Sequence, residues 1–475
     1  MLHRVRSLAL WSRLGVFLLQ VVANAVIPDY HPDVFNPPST TAALSFGDKL
    51  VRFMLGGFRR WDAIYFLFIA EHGYVYENCL AFFPLYPQAV RMASGIVGLF
   101  LRLCDFSTES LLLLCGSALN VVCFVKAAQA LYGWISVVDH GKYRTNAFPT
   151  VLAFCFNPAS IFFSACYSES LFCCLSFTAF LHLERSYQST PQKKNAFARE
   201  MYLTAFLAML SGAARSNGVV IFGVFILKKA QTQFQRISPG KQLLSSSFDL
   251  LFISVIYGMM AFVPFVLFQM YSFRLHCSVE KQPLAPALID YAVERGYIYL
   301  DPSRNSSSWC DSSLPVAYSH VQKSHWNVGM LSYYELKQLP NFLLALPVLV
   351  LSCWTLWTFL PFRGPRRSSI QSIVMQAAES PLLPYVAHLG FLVAFCLFFV
   401  HIQISTRLLC SSSPLLYLAV GLLMPPTSKN IDWSTYIRNL RVASEKDVRL
   451  KLCIQYFAFY AVIGTILHAN FFPWT

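Results

Sequence analysis

The chain is 475 residues long, 56% of them hydrophobic and only 13% charged, with a mean hydropathy of +0.50. Soluble domains carry about 25% charged residues, so this composition excludes one and points to an all-α, polytopic membrane protein. The formal net charge of +14 does not signal nucleic-acid binding, because most Lys and Arg fall in short loops between apolar runs, where the positive-inside rule expects them.

Leu8–Val26 is the first apolar run, long enough to cross, and is expected to stay as an uncleaved span. His3, Arg4 and Arg6 hold its start in the cytoplasm. Residues 28–87 then form the first lumenal loop. Within it Leu50–Tyr74 reads as an amphipathic helix near the membrane surface, interrupted at Gly56-Gly57, and Pro84 and Pro87 end the region. Leu85–Leu103 and Leu111–Val138 are both apolar. If both crossed, the basic Asp139–Asn146 loop would be lumenal, so one of the two is expected to be re-entrant or interfacial.

Phe148–Ser164 and Leu171–Leu183 are joined by Ala165–Ser170. Tyr202–Leu227 lies between two basic loops and is too short to cross twice. It reads as two half-helices meeting at Arg215, a break tolerated where it lines a polar cavity. Phe248–Phe273 opens a large loop, 274–339, expected on the lumenal side. The loop carries the glycosylation pattern Asn305-Ser306-Ser307 and two cysteines, Cys277 and Cys310, able to pair in an oxidising compartment. The other cysteines show no CxxC or metal-ligand spacing. Leu343–Leu360, Tyr385–Ile404, Leu408–Met424 and Leu452–Ala469 complete about 9–12 membrane segments, half-helices included, in a single domain over 1–475.

Four polar groups stand at the outer ends of these runs: Asp62 with Trp61, Glu71 and His72; Tyr167-Ser168-Glu169; Arg215-Ser216-Asn217; and Arg407. Each alone has a structural counterpart. Arg407 can snorkel from a helix end, Glu169 can cap a helix, and Asp62 can pair with Arg59 on a surface helix. Carboxylates are expensive beside lipid, however, and acids with arginines on one side of a membrane describe a place where an anion is held and a proton removed. Nine residues at about 100° each put Asp62 and Glu71 on opposite faces of a continuous helix. One acid is then catalytic and the other structural, and Asp62 is the choice. No GxGxxG, P-loop, HExxH or GxSxG occurs, which argues against a nucleotide-driven pump or a metalloprotease. The competing reading is a lipid or solute transporter or flippase, which broken helices and buried arginines also suit. Such a fold should show an inverted repeat, and the C-terminal half holds no second segment like that around Trp61-Asp62 or like Arg215–Gly218.

Three stretches carry a family likeness: WDAIYFLFIAEHGY followed by FFPLYP (Trp61–Pro87), FNPASIFFSACYSESLF (Phe156–Phe172) and ARSNG (Ala214–Gly218). In this order they resemble the dolichol-phosphate-mannose-dependent mannosyltransferases of GPI-anchor biosynthesis, as far as about Leu227. Beyond it the likeness rests on hydropathy and the terminal Phe-Phe-Pro-Trp. The resemblance implies the GT-C architecture, a lumenal active site in the endoplasmic reticulum membrane, and α-1,6 transfer of the second mannose from dolichol-phosphate mannose to the GPI-anchor lipid precursor. It implies inversion, with Asp62 as general base and Arg215 and Arg407 holding the leaving phosphate. Trp61, Glu71, His72, Tyr167, Ser168, Glu169 and Asn217 complete the expected substrate-binding residues. No cofactor and no metal are expected. Partners are the two lipid substrates and the surrounding membrane lipids, and the need for an accessory subunit stays open.

Overall fold

The computed structural model describes residues 1–38, 44–101, 105–188, 194–236, 243–278, 284–300, 307–361, 370–427 and 432–474. Asn305 lies outside them. Among the described residues the chain is built of α-helices and short 3-10 turns, with one isolated antiparallel bridge between Tyr76 and Tyr299. The first helices are α1 (Leu2–Val26), α2 (Phe46–Leu55), α3 (Asp62–His72), α4 (Leu85–Phe100), α5 (Thr108–Val137) and α6 (Ala147–Cys155). There follow α7 (Glu169–Gln188), α8 (Lys194–Ala214), α9 (Ile221–Arg236), α10 (Leu243–Cys277), α11 (Pro286–Arg295) and α12 (Ala317–Trp326). The last are α13 (Leu339–Phe359), α14 (Ile370–Glu379), α15 (Leu383–Phe398), α16 (Ser405–Ser412), α17 (Pro414–Leu423), α18 (Trp433–Lys446) and α19 (Val448–Ala469).

Five helical stretches among the described residues are long and apolar enough to cross a membrane, namely α1, α5, α10, α13 and α19. The pair α16 and α17, bent by 78°, makes a sixth if it is one crossing. The protein is therefore a multi-pass membrane protein. α7 and α8 have 20 and 21 residues but are not among these apolar stretches, and the remaining helices are shorter. Of the two apolar runs in question, α4 has only 16 residues, short of the roughly 20 a crossing needs, whereas α5 has 30.

Local chemistry places the breaks. Arg215 is extended (φ −155°, ψ 146°) and separates α8 from α9 at the expected point. However, α8 has 21 residues and α9 16, so the two are longer than the half-helices expected within Tyr202–Leu227, having recruited residues of both basic loops. Gly218 makes this break compact, since a Cβ there would stand 2.4 Å from the Gly212 nitrogen. The buried guanidinium of Arg13, in α1, donates to the carbonyls of Cys155 (3.0 Å) and Ser160 (2.7 Å) where α6 ends. A charge inside a membrane helix must find such partners, and here it satisfies the last carbonyl of α6 and one in the 3-10 turn that follows.

The expectation of one interrupted surface helix over Leu50–Tyr74 requires correction. α2 ends at Leu55, and α3 buries Ala63, Ile64 and Phe66–Ala70. The cause is tertiary: the large loop closes over the first. Ile64, Phe68 and Tyr76 share an apolar core with Leu288, Tyr291, Trp309 and Val321. A disulfide between Cys277 and Cys310 joins the end of α10 to this cap. Near it meet the C-terminal ends of α1 and α19, because Arg60 donates both to Asn24 (2.9 Å) and to the Ala469 carbonyl (3.1 Å).

Candidate active site

α3 starts immediately after a strained residue. Trp61 has φ 57° and ψ −128°, a region that costs a non-glycine residue roughly 1–3 kcal/mol. The kink makes Asp62 the first residue of the helix, with its carboxylate at the positive end of the helix dipole. No side chain caps this end from Trp61. The backbone N–H of Asp62 is instead donated to the Tyr167 hydroxyl, at 3.2 Å.

Asp62 Oδ2 lies 2.7 Å from Arg407 Nη1. The same nitrogen is 3.8 Å from Glu169 Oε1, the oxygen that Arg215 Nη1 also engages. Two acids and two arginines thus alternate in one chain of contacts, Asp62–Arg407–Glu169–Arg215, drawn from α3, α16, α7 and the α8–α9 break. Exposure separates the acids: the Glu169 side chain is 0% accessible and that of Asp62 30%. Only Asp62 of the two can meet a ligand directly. Arg215 and Arg407 are each partly open, at 16% and 14%.

The remaining expected residues divide. Tyr167 is buried with its hydroxyl turned to the backbone, accepting from Asp62 and facing the Arg60 carbonyl at 3.4 Å, rather than outward to a sugar. Ser168 is buried, and its carbonyl accepts the first helical bond of α7, from Phe172. Asn217 donates to the Ser412 hydroxyl at 2.9 Å, tying the Arg215 turn to the helix that carries Arg407. Glu71 and His72 stand apart, at the far end of α3, about 13 Å along the axis from Asp62. Their side chains approach each other at 3.7 Å. Burial, with the charge of Arg91 added, holds the His72 imidazole below its ordinary pKa, so it is a neutral hydrogen-bonding group at physiological pH.

Other residues complete the site without having been legible. Asn120 donates to the Tyr167 carbonyl at 3.0 Å and so fixes the loop before α7. Tyr318, from the large loop, reaches the Ser216 hydroxyl at 3.0 Å and closes the cap over the Arg215 break. Chemically, the arrangement offers one reachable carboxylate to take a proton and two guanidinium groups to hold an anion.

Residues 3–475 match a family model described as Mannosyltransferase (PIG-V). The chain is 35% identical to a GPI mannosyltransferase 2 of Drosophila melanogaster, covering 100% of both chains. It is 33% identical to the human GPI alpha-1,6-mannosyltransferase 2, covering 99% of this chain and 98% of that one. Among solved structures, an oligosaccharyltransferase of Archaeoglobus fulgidus aligns at 12% identity and a TM-score of 0.43, over 96% of this chain and 53% of its own. A family match along nearly the whole length, with relatives above 30% identity, leaves one conclusion: this chain is a glycosyltransferase and belongs to the mannosyltransferase (PIG-V) family.

Proposed function

We propose that the protein transfers the second mannose, in α-1,6 linkage, from dolichol-phosphate mannose to the GPI-anchor lipid precursor. The reaction takes place on the lumenal side of the endoplasmic reticulum membrane, in a GT-C architecture. The observation that carries the mechanism is the contact between Asp62 and Arg407, at 2.7 Å, continued through Glu169 to Arg215.

A β-linked donor and an α product require a single inverting displacement. Asp62 takes the proton of the acceptor hydroxyl as its oxygen bonds to the mannose anomeric carbon. The bond from that carbon to the phosphate oxygen breaks, and its electron pair leaves with dolichol phosphate. This leaving group is already a stable anion and needs no acid. It needs cations placed where charge grows, and Arg407 and Arg215 supply them in a partly water-excluded setting. Glu169, between them, holds both guanidinium groups in register. The scheme calls for no metal.

Complementation of cells lacking the second GPI mannose tests the base. Asp62→Asn at wild-type protein level is expected to restore no GPI-anchored surface protein. Full rescue by this variant would overturn the assignment.

A further inference from the structure

The end of α19 is pressed against the catalytic segment. Gly57 packs on Ala469 so closely that an added Cβ would lie 2.9 Å from the Ala469 Cβ. Arg60 donates to the Ala469 carbonyl at 3.1 Å, and its guanidinium lies 4.5 Å over the ring of Phe471. One residue back, His468 is buried and places Nε2 3.3 Å from the Tyr167 hydroxyl.

That hydroxyl has one proton and two lone pairs, and three neighbours. The Asp62 amide at 3.2 Å donates to it, the Arg60 carbonyl at 3.4 Å accepts from it, and His468 Nε2 at 3.3 Å is its third partner. The direction of the His468 bond depends on the tautomer, and either direction engages the hydroxyl. Two of the three bonds reach the turn at 60–62, where Trp61 is strained, and the third joins the same hydroxyl to α19. A strained turn persists only when its surroundings over-determine it.

We infer that His468 is a positioning residue for the transfer reaction, acting through the Tyr167 hydroxyl to fix the start of α3 and so the carboxylate of Asp62. The inference rests on the reading of Asp62 as the base. Without His468 the Tyr167 hydroxyl loses one of its three partners, and the acceptor of the Asp62 N–H is held less firmly. The proton-accepting oxygen then shifts relative to the acceptor hydroxyl while the arginines that hold the donor phosphate stay in place. Turnover should fall, and donor binding should not.

The test uses full-length protein in membranes, with mannose transfer from dolichol-phosphate mannose to a GPI precursor lipid as the readout. His468→Leu is expected to lower kcat by about 10²-fold, the cost of a misplacement on the order of 1 Å, with donor KM nearly unchanged. His468→Gln keeps an N–H at similar reach and should retain kcat within roughly threefold of wild type. Tyr167→Phe should resemble His468→Leu, and the double variant should be no slower than the worse single one, since residues acting in series are not additive. An unchanged kcat in His468→Leu, multiplying losses in the double variant, or a Gln variant as slow as the Leu variant at equal yield would each overturn the inference. Should His468→Leu fail to accumulate, His468→Gln and Tyr167→Phe decide: a slow Gln variant, or a Tyr167→Phe of normal kcat, refutes it. Asp62→Asn is measured alongside. Activity there refutes the base assignment itself, whereas an inactive Asp62→Asn beside a fully active His468→Leu refutes the positioning role alone.

Discussion

Glu169 is the inner member of the ionic chain, buried between Arg215 and Arg407, while Asp62 pairs with Arg407 alone and stays partly open. The four charges balance in sum, which is how such a group tolerates its surroundings. This places a specific demand on Arg215. A guanidinium can bind the Glu169 carboxylate through one nitrogen and offer others to a phosphate, which an ammonium on a flexible stem does less well. Arg215→Lys keeps the charge and is expected to insert and accumulate normally. Its kcat/KM for the donor should nonetheless fall roughly 10²-fold, as when one preorganised donor to a developing anion is lost. Unchanged turnover would remove Arg215 from the phosphate site. The four charged residues were legible because a charge in an apolar run is costly wherever it stands, and that cost is visible locally. His468, Asn120 and Arg60 were not: His468 acts on Tyr167, and Arg60 on Ala469, across 301 and 409 positions of the chain. Nothing local marks such a pairing. Glu71 and His72 were grouped with Asp62 by nearness in sequence, and helix phase with axial distance carries them away from it.

At the level of elements, the position of the break between α8 and α9 followed from the charge of Arg215, while the lengths of the two helices and the burial of α3 did not. The pattern of residues 50–74 has a polar side, yet α3 is covered from two directions: Ala63, Phe66, Leu67 and Ala70 pack into the bundle core, and Ile64, Phe68 and Ile69 lie under the large loop. One contact that ties the two loops is Glu77, whose Oε1 accepts from the Trp309 indole at 2.8 Å and whose Oε2 lies 3.6 Å from His325 Nε2. Burial raises its pKa, but hydrogen bonds from His325, Ser307 and Trp309 outweigh burial and leave it below the ordinary glutamate value of 4.5. A depressed folded-state pKa means that the carboxylate stabilises the cap above the unfolded value. That contribution is lost as pH falls through the folded one. The cap should therefore loosen below about pH 4.5, seen as faster proteolysis within 274–339. Glu77→Gln should cleave readily at neutral pH and lose most of this pH dependence. An acid-sensitive Glu77→Gln variant would place the titrating group elsewhere.

Across the whole molecule, a helical bundle carries the Asp62–Arg407–Glu169–Arg215 ion pairs beside a cap made of two loops distant in sequence. Hydropathy made the bundle legible, but not the count of crossings. α4 and α6 are short, and α16 and α17 meet at 78°, so an apolar run is not the same as a crossing. The cap is where an entropic argument applies. The Cys277–Cys310 disulfide closes a loop of 33 residues that contains α11, and α12 follows directly with Tyr318 on Ser216. Closing a loop of that length removes about 3–4 kcal/mol of chain entropy from the open state. Replacing both cysteines by serine should therefore leave the bundle folded while the cap opens more often. Tyr318 would then hold the Arg215 break less well. The expected result is normal accumulation in the membrane, faster proteolysis of the large loop, and a lower kcat/KM for the donor. Tyr318→Phe separates the two causes, because it removes the contact to Ser216 and keeps the disulfide. If the cap acts through that contact, Tyr318→Phe lowers kcat/KM without speeding proteolysis. If the double serine variant loses activity while Tyr318→Phe does not, the cap acts by another route, such as shielding Asp62 and the arginines from water.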